Sequence, residues 1–174
     1  ARLVGPDHRS KVGMMSEAYR TSKRSRRAAG LDHDPLYPGA REAILRLGAR
    51  EDVLLGIATG KARRGVDHML KLHDLEGRFI TIQTADTSPS KPHPDMVLRA
   101  MGETGAEPLR TVMVGDTSFD MEMARAAGAL AVGVSWGYHT ADLLHGAGAH
   151  AVIDQFDEID GAIARCLGWT LETL

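Results

Sequence analysis

Short apolar runs alternate with amphipathic stretches along most of this chain, from residue 39 onward. The runs are apolar at successive positions, which indicates strands that are buried on both faces of a sheet. The stretches between them repeat apolar residues every three or four positions, as helices packed on one face do. The predicted strands cover residues 53–58, 79–81, 111–114, 131–134 and 151–153. The predicted helices cover residues 40–50, 62–72, 94–103, 119–127, 141–147 and 156–167.

The regular alternation of strands and helices predicts an α/β fold. Helical connections between neighbouring strands are right-handed crossovers, so we expect a parallel, doubly wound sheet of the Rossmann-like type. Ligands of such sheets bind beyond the carboxyl ends of the strands. The residues that follow each strand are therefore where the chemistry is expected.

The first 36 residues have a different pattern and predict a separate piece beside an α/β domain over residues 37–174. A polar, basic stretch over residues 11–29 predicts a surface helix that ends at Gly30, a common helix C-terminal residue. Its positive charges favour a solvated helix face, and the alternative is a face that steers an anionic substrate. These charges are Arg20, Lys23, Arg24, Arg26 and Arg27.

Composition and charge exclude several classes of partner. Lys and Arg total 21 against 23 Asp and Glu, and this near-neutral balance gives no general attraction to nucleic acid or to an anionic membrane. We therefore expect neither as a partner. The single cysteine, Cys166, cannot form an internal disulfide, which fits a cytoplasmic protein. The sequence leaves open whether the protein is a monomer or a homodimer.

Polar and charged residues follow three of the predicted strands. Thr59-Gly60-Lys61 follows the first strand, Lys91 lies in the loop after the second, and Gly115-Asp116 with Asp120 follows the third. Each motif by itself is common in turns and helix caps. Their joint occurrence at the carboxyl ends of parallel strands predicts one site that delivers a hydroxyl, an ammonium and two carboxylates.

Each of these groups has a function in phosphoryl transfer. Thr59 can donate its hydroxyl to a phosphate oxygen, and Gly60 allows a phosphate to approach the backbone. Lys91 can neutralise a phosphate and a nearby carboxylate. Asp116 offers the hard oxygen that Mg²⁺ prefers, and Asp120 can orient a metal-bound water or Lys91. We predict catalytic roles for Thr59, Lys91 and Asp120, substrate binding by Thr59, Gly60 and Lys91, and a Mg²⁺ site at Asp116 and Asp120.

These motifs resemble the haloacid dehalogenase superfamily of phosphatases, and most closely its phosphoglycolate phosphatase branch. The resemblance rests on VMVGDTSFD at residues 112–120, MEMARAAG at 121–128, Lys91-Pro92, Ala58-Thr59-Gly60 and GVSWGY at 133–138, and it covers about residues 37–160. It implies that Thr59 binds phosphate, that Lys91 is the lysine of the third motif, and that Asp116 binds Mg²⁺ with Asp120 in support. It also implies that residues 1–36 are the remnant of a helical cap.

The first motif of that superfamily, Asp-x-Asp-Gly-Thr after an apolar strand, does not occur in the sequence. Its first Asp attacks phosphorus and its second is the general acid and base. Asp32-His33-Asp34 has the spacing but lacks the Gly-Thr and the preceding strand. We therefore expect that the nucleophile lies outside these residues, on a strand that belongs between residues 53–58 and 111–114. The chain by itself should then be inactive.

The resulting hypothesis is a phosphatase that hydrolyses a small phosphate monoester through an aspartyl phosphate. Phosphoglycolate, a sugar phosphate and pyrophosphate are the candidate substrates. The alternatives are a sugar-phosphate mutase of the same superfamily and a phosphate-binding homologue without catalysis. A response-regulator receiver domain is disfavoured because Thr and Lys precede the acidic pair here.

The sequence lacks zinc-binding histidine motifs, and His93 and His139 favour surface or supporting positions.

Overall fold

The computed structural model describes residues 35–169, and all of these but Pro35 belong to a compact unit that begins at Leu36. The predicted helix over 11–29, its positive charges, the Asp32-His33-Asp34 triplet and nearly all of the predicted cap remnant 1–36 lie outside the described residues. The helices are α1 (Ala40–Leu47), α2 (Arg63–Leu72), α3 (Asp95–Thr104), α4 (Ser118–Ala126), α5 (Ala141–Gly146) and α6 (Ile159–Leu167). The strands are β1 (Gly56–Thr59), β2 (Thr81–Thr84), β3 (Val112–Gly115), β4 (Leu130–Val134) and β5 (Ala151–Ile153).

All strand pairs in this part of the chain are parallel, as the alternating pattern predicts. β1 pairs with β2, and Gly56 and Thr59 lie opposite Thr81 and Thr84. β3 pairs with β4, which in turn pairs with β5. The strands therefore form two half-sheets, β1-β2 and β3-β4-β5, which divide at the place where the sequence predicts a further strand.

Helices cover both faces of these strands. Along β4 the side chains alternate: Ala131 belongs to a core cluster with residues of α3, α4 and α5, whereas Val132 packs with residues of α1 and α6. A third cluster, around Val66 and Leu70, joins α2 to α1. The predicted α/β class, with parallel strands between two helical layers, is confirmed. None of the helices within residues 35–169 is long and apolar enough to cross a bilayer.

A gap separates β1 from β3. One cavity of about 470 Å³ lies beside α1 and α6, and another of about 530 Å³ lies beside α3. Both are lined by residues 54–58 and by Val112 and Met113, so they are the two sides of one opening between the half-sheets. Protein cores rarely contain voids of this size. The gap lies between the two chain segments where a further strand was predicted.

Three predicted boundaries are wrong in an instructive way. β1 begins at Gly56, opposite Thr81 at the start of β2, and the apolar Leu54 before it is 56% exposed. β2 was predicted over residues 79–81 but runs to Thr84, since the polar side chains of Gln83 and Thr84 are buried. α6 starts at Ile159, after a 3₁₀ turn over Phe156–Glu158.

Candidate functional site

The end of β3 and the start of α4 are joined by a capping box. The backbone N–H of Asp120 donates to the hydroxyl of Thr117 (3.3 Å), and the N–H of Thr117 donates to Oδ2 of Asp120 (3.1 Å). Such reciprocal bonds satisfy N–H groups that a helix start leaves without partners. A Cβ at Gly115 would lie 2.8 Å from Oδ2 of Asp120, so a glycine is needed at this position. The sequence G-D-T-S-F-D thus fixes Asp120 at the first turn of α4.

Lys91 and Asp120 form an ion pair at this turn. Nζ of Lys91 lies 2.6 Å from Oδ1 of Asp120, and their side chains are 20% and 4% exposed. Oδ2 of Asp120 accepts hydrogen bonds from Thr117, so both carboxylate oxygens have partners in the described structure. A buried carboxylate with this many donors is suited to hold the ammonium in place. This geometry favours the role of orienting Lys91 over direct metal ligation by Asp120.

Asp116 lies at the carboxyl end of β3, where the loop that follows β4 crosses it. Oδ2 of Asp116 accepts the backbone N–H of Tyr138 (3.2 Å), and its carbonyl oxygen accepts the N–H of His139 (3.1 Å). A Cβ at Gly137 would lie 2.6 Å from Oδ2 of Asp116. Of these loop residues, only His139 is interpreted in the sequence analysis, as a surface or supporting position. The signal that could have identified them is a glycine between aromatic residues directly after a strand.

Thr59 and Gly60 lie at the carboxyl end of β1, on the other side of the gap. The Thr59 hydroxyl accepts the N–H of Lys61 (3.1 Å), and this bond does not use the hydroxyl proton. No atom of the described residues would touch a Cβ at Gly60, so the space beside it is open within this part of the chain. Among the described hydrogen bonds and ion pairs, none links Thr59 to Lys91, Asp116 or Asp120. Lys91 and Asp120 are thus in contact, Asp116 lies four residues before Asp120 in the chain, and Thr59 has no described bond to any of the three.

The two histidines near the site act as helix caps. Nδ1 of His93 accepts the N–H of Asp95 at the start of α3 (3.3 Å), and Nδ1 of His139 accepts the N–H of Ser118 at the start of α4 (3.0 Å). Both rings therefore order loops at the carboxyl edge of the strands.

The acidic residues of the described part suit Mg²⁺ better than a transition metal. Residues 35–169 contain no group of three or more His, Cys, Asp or Glu side chains that could hold a metal ion. Mg²⁺ commonly takes one or two protein carboxylates and completes its shell with water and phosphate oxygens. The Asp116 carboxylate can supply one such oxygen, so the donor set fits a Mg²⁺ site whose other ligands come from elsewhere.

A family model described as haloacid dehalogenase-like hydrolase matches residues 4–134. The chain belongs to this family. It is 38% identical over 128 residues to the protein named probable phosphatase IndB of Dickeya dadantii, covering 73% of this chain and 55% of that protein. It is 31% identical over 146 residues to a phosphoglycolate phosphatase of Nitrosococcus oceani, covering 83% of this chain and 60% of that enzyme.

Solved structures extend the likeness to the fold of this family. A conserved haloacid dehalogenase-like protein of unknown function from Agrobacterium tumefaciens superimposes with a TM-score of 0.72 at 26% identity. The match covers 94% of this chain and 80% of that one. The chain spans between half and two-thirds of the length of the two curated relatives named above. The predicted resemblance to the superfamily and to its phosphoglycolate phosphatase branch is confirmed.

Proposed function

We propose that this chain supplies the phosphate-handling part of a Mg²⁺-dependent phosphatase that hydrolyses a small phosphate monoester, such as phosphoglycolate. The ion pair between Lys91 and Asp120 is the observation that carries the proposal. It ties the loop after β2 to the turn after β3, and Asp116 lies four residues before Asp120. An ammonium and a carboxylate that meet at the carboxyl edge of parallel strands suit a phosphoryl group and a divalent cation.

Each described residue has a defined role in this proposal. Lys91 stabilises negative charge on the phosphoryl oxygens, and Asp120 keeps the ammonium in position. The hydroxyl of Thr59 donates a hydrogen bond to a phosphate oxygen. The open space beside Gly60 leaves room for that oxygen. Asp116 would hold Mg²⁺, and the bound ion would neutralise part of the phosphate charge.

The nucleophile in this proposal is an aspartate from outside residues 35–169. An oxygen of its carboxylate bonds to phosphorus while the bond between phosphorus and the ester oxygen breaks. The second aspartate of the same Asp-x-Asp-Gly-Thr motif donates the proton with which the alcohol leaves. Water then cleaves the aspartyl phosphate, which releases inorganic phosphate and restores the carboxylate. The apolar gap between β1 and β3 supports this part of the proposal, because it offers a place for one more parallel strand between Thr59 and Asp116.

The test measures inorganic phosphate released by the full-length protein from phosphoglycolate, a hexose phosphate and pyrophosphate, with Mg²⁺ and with EDTA. We expect turnover of at least one ester with Mg²⁺ and loss of turnover with EDTA. Lys91→Met should lower kcat by about 100-fold or more, since it removes a cation that stabilises the transition state. Lys71→Met is the matched control, because Lys71 is exposed on α2.

Three results would count against the proposal. Full activity in Lys91→Met would show that the reaction does not need the lysine. Turnover that EDTA does not affect would show that the reaction does not need the metal. Isomerised hexose phosphate without released phosphate would identify a mutase. Phosphate binding without any turnover would identify a homologue that binds but does not catalyse.

A further inference from the structure

The loop between β4 and α5, residues 135–140, folds closely over Asp116. Gly137 leaves no room for a Cβ beside the Asp116 carboxylate. Tyr138 donates its backbone N–H to Oδ2 of Asp116, and His139 donates its backbone N–H to the Asp116 carbonyl oxygen. One oxygen of the carboxylate is therefore held by the loop backbone. This restricts rotation of the carboxylate and presents its other oxygen in one orientation.

The side chain of His139 anchors this loop to α4. Its Nδ1 lies 3.0 Å from the backbone nitrogen of Ser118, the first residue of the helix, whose N–H has no acceptor within the helix. The His139 ring also packs against Phe119, with ring centroids 5.9 Å apart. His139 thus contacts the turn at two points: its backbone N–H bonds to Asp116, and its ring bonds to the backbone two residues further on.

We propose that His139 is a positioning residue for metal binding by Asp116. This inference rests on the proposed function, because it assumes that Asp116 holds Mg²⁺. The backbone N–H of Tyr138 reaches the Asp116 carboxylate only while the loop stays against the turn that begins α4. The His139 ring bonds to the first residue of α4 and so helps to keep the loop there. Partners of metal ligands commonly change metal affinity by 10–100-fold when they are lost.

The experiment titrates Mn²⁺, as a probe for the Mg²⁺ site, into the full-length protein and follows free Mn²⁺ by electron paramagnetic resonance. His139→Ala should raise the Kd for Mn²⁺ on the order of tenfold. His139→Asn should stay within about twofold of wild type, because the Asn Oδ1 is attached at Cγ as the His Nδ1 is. His139→Gln places its acceptor one bond further out and should resemble His139→Ala.

Two further variants make the result specific. Asp116→Asn should abolish Mn²⁺ binding, and His145→Ala, which alters an exposed histidine in α5, should leave it unchanged. If Asp116→Asn removes binding but His139→Ala does not weaken it, the positioning role is overturned and the proposed metal site stands. If Asp116→Asn leaves binding unchanged, the metal assignment fails, and this inference fails with it. Should His139→Ala not fold, equal Kd values for His139→Asn and His139→Gln would overturn the proposal.

Discussion

Replacing Lys91 with methionine removes the ammonium that faces Asp120 and keeps an unbranched side chain of similar length. At 2.6 Å the attraction between the two charges is roughly 6 kcal/mol for an effective dielectric constant of about 20. Desolvation of the two ions offsets most of this gross attraction. Asp120 is 3% exposed, so Lys91→Met leaves a buried carboxylate whose described hydrogen bonds come from Thr117 alone. Because the Lys91 side chain is 20% exposed, water can reach the vacated position. We expect a loss of about 2–4 kcal/mol in the free energy of unfolding.

A double-mutant cycle with Asp120→Asn measures the interaction energy between Lys91 and Asp120, apart from their contacts with other residues. Urea unfolding followed by circular dichroism gives the free energy of unfolding for each variant. The double variant has no buried charge at this position, so it should be more stable than the sum of the single losses predicts, by about 1–3 kcal/mol. Arg99→Met is the control, because the Arg99–Asp95 pair in α3 is more exposed and should contribute less than about 0.5 kcal/mol. Additive losses within about 0.5 kcal/mol would refute the idea that Lys91 and Asp120 are energetically coupled.

Two other predictions concern a glycine beside Asp120 and a hydrogen bond at the start of β2. Gly115→Ala should destabilise the fold by about 1–3 kcal/mol, because the new Cβ would overlap Asp120. The control Gly65→Ala in α2 places its Cβ where it meets no described atom, and it should stabilise the fold by roughly 0.5–1 kcal/mol. Thermal unfolding compares the two variants, and equal effects would contradict the packing argument. The hydrogen bond from Thr81 lowers the pKa of Glu103 in the folded protein. This bond therefore stabilises the fold at pH values above the pKa that Glu103 has in the unfolded chain, and the stabilisation is lost as the pH falls through the folded pKa. Thr81→Val should therefore reduce the acid-induced fall of Tm, and an unchanged Tm profile against pH would show that this bond is not involved.

The fold class could be predicted from the sequence because apolar continuity and helical periodicity are local signals. The ends of strands could not, since they depend on neighbours. Gln83 is polar but 4% exposed, and its amide donates to the Thr81 hydroxyl, so β2 continues where hydropathy predicts a loop. Leu54 is apolar but precedes β1, which begins at Gly56 opposite the first residue of β2.

The candidate site could likewise be predicted only in part. The proximity of Lys91 and Asp120 could be predicted because each follows a strand, and parallel strands bring such residues to one edge of a sheet. The contacts of Asp116 with Tyr138 and His139 could not be predicted, because the loop backbone makes them across 22 and 23 positions of the chain. Whether Thr59 joins the site is a question of geometry across the gap, which motif order does not determine.

The separation of the strands into two half-sheets affects how far the halves can shift relative to each other. Backbone hydrogen bonds stiffen each half-sheet internally, but on the α3 side the halves adhere through side chains such as Met96, Met101, Met121 and Met123. Methionine is unbranched and adapts to irregular surroundings. These side chains can adapt to small shifts between the halves, and a strand that paired with both β1 and β3 would fix the spacing between Thr59 and Asp116 by backbone hydrogen bonds.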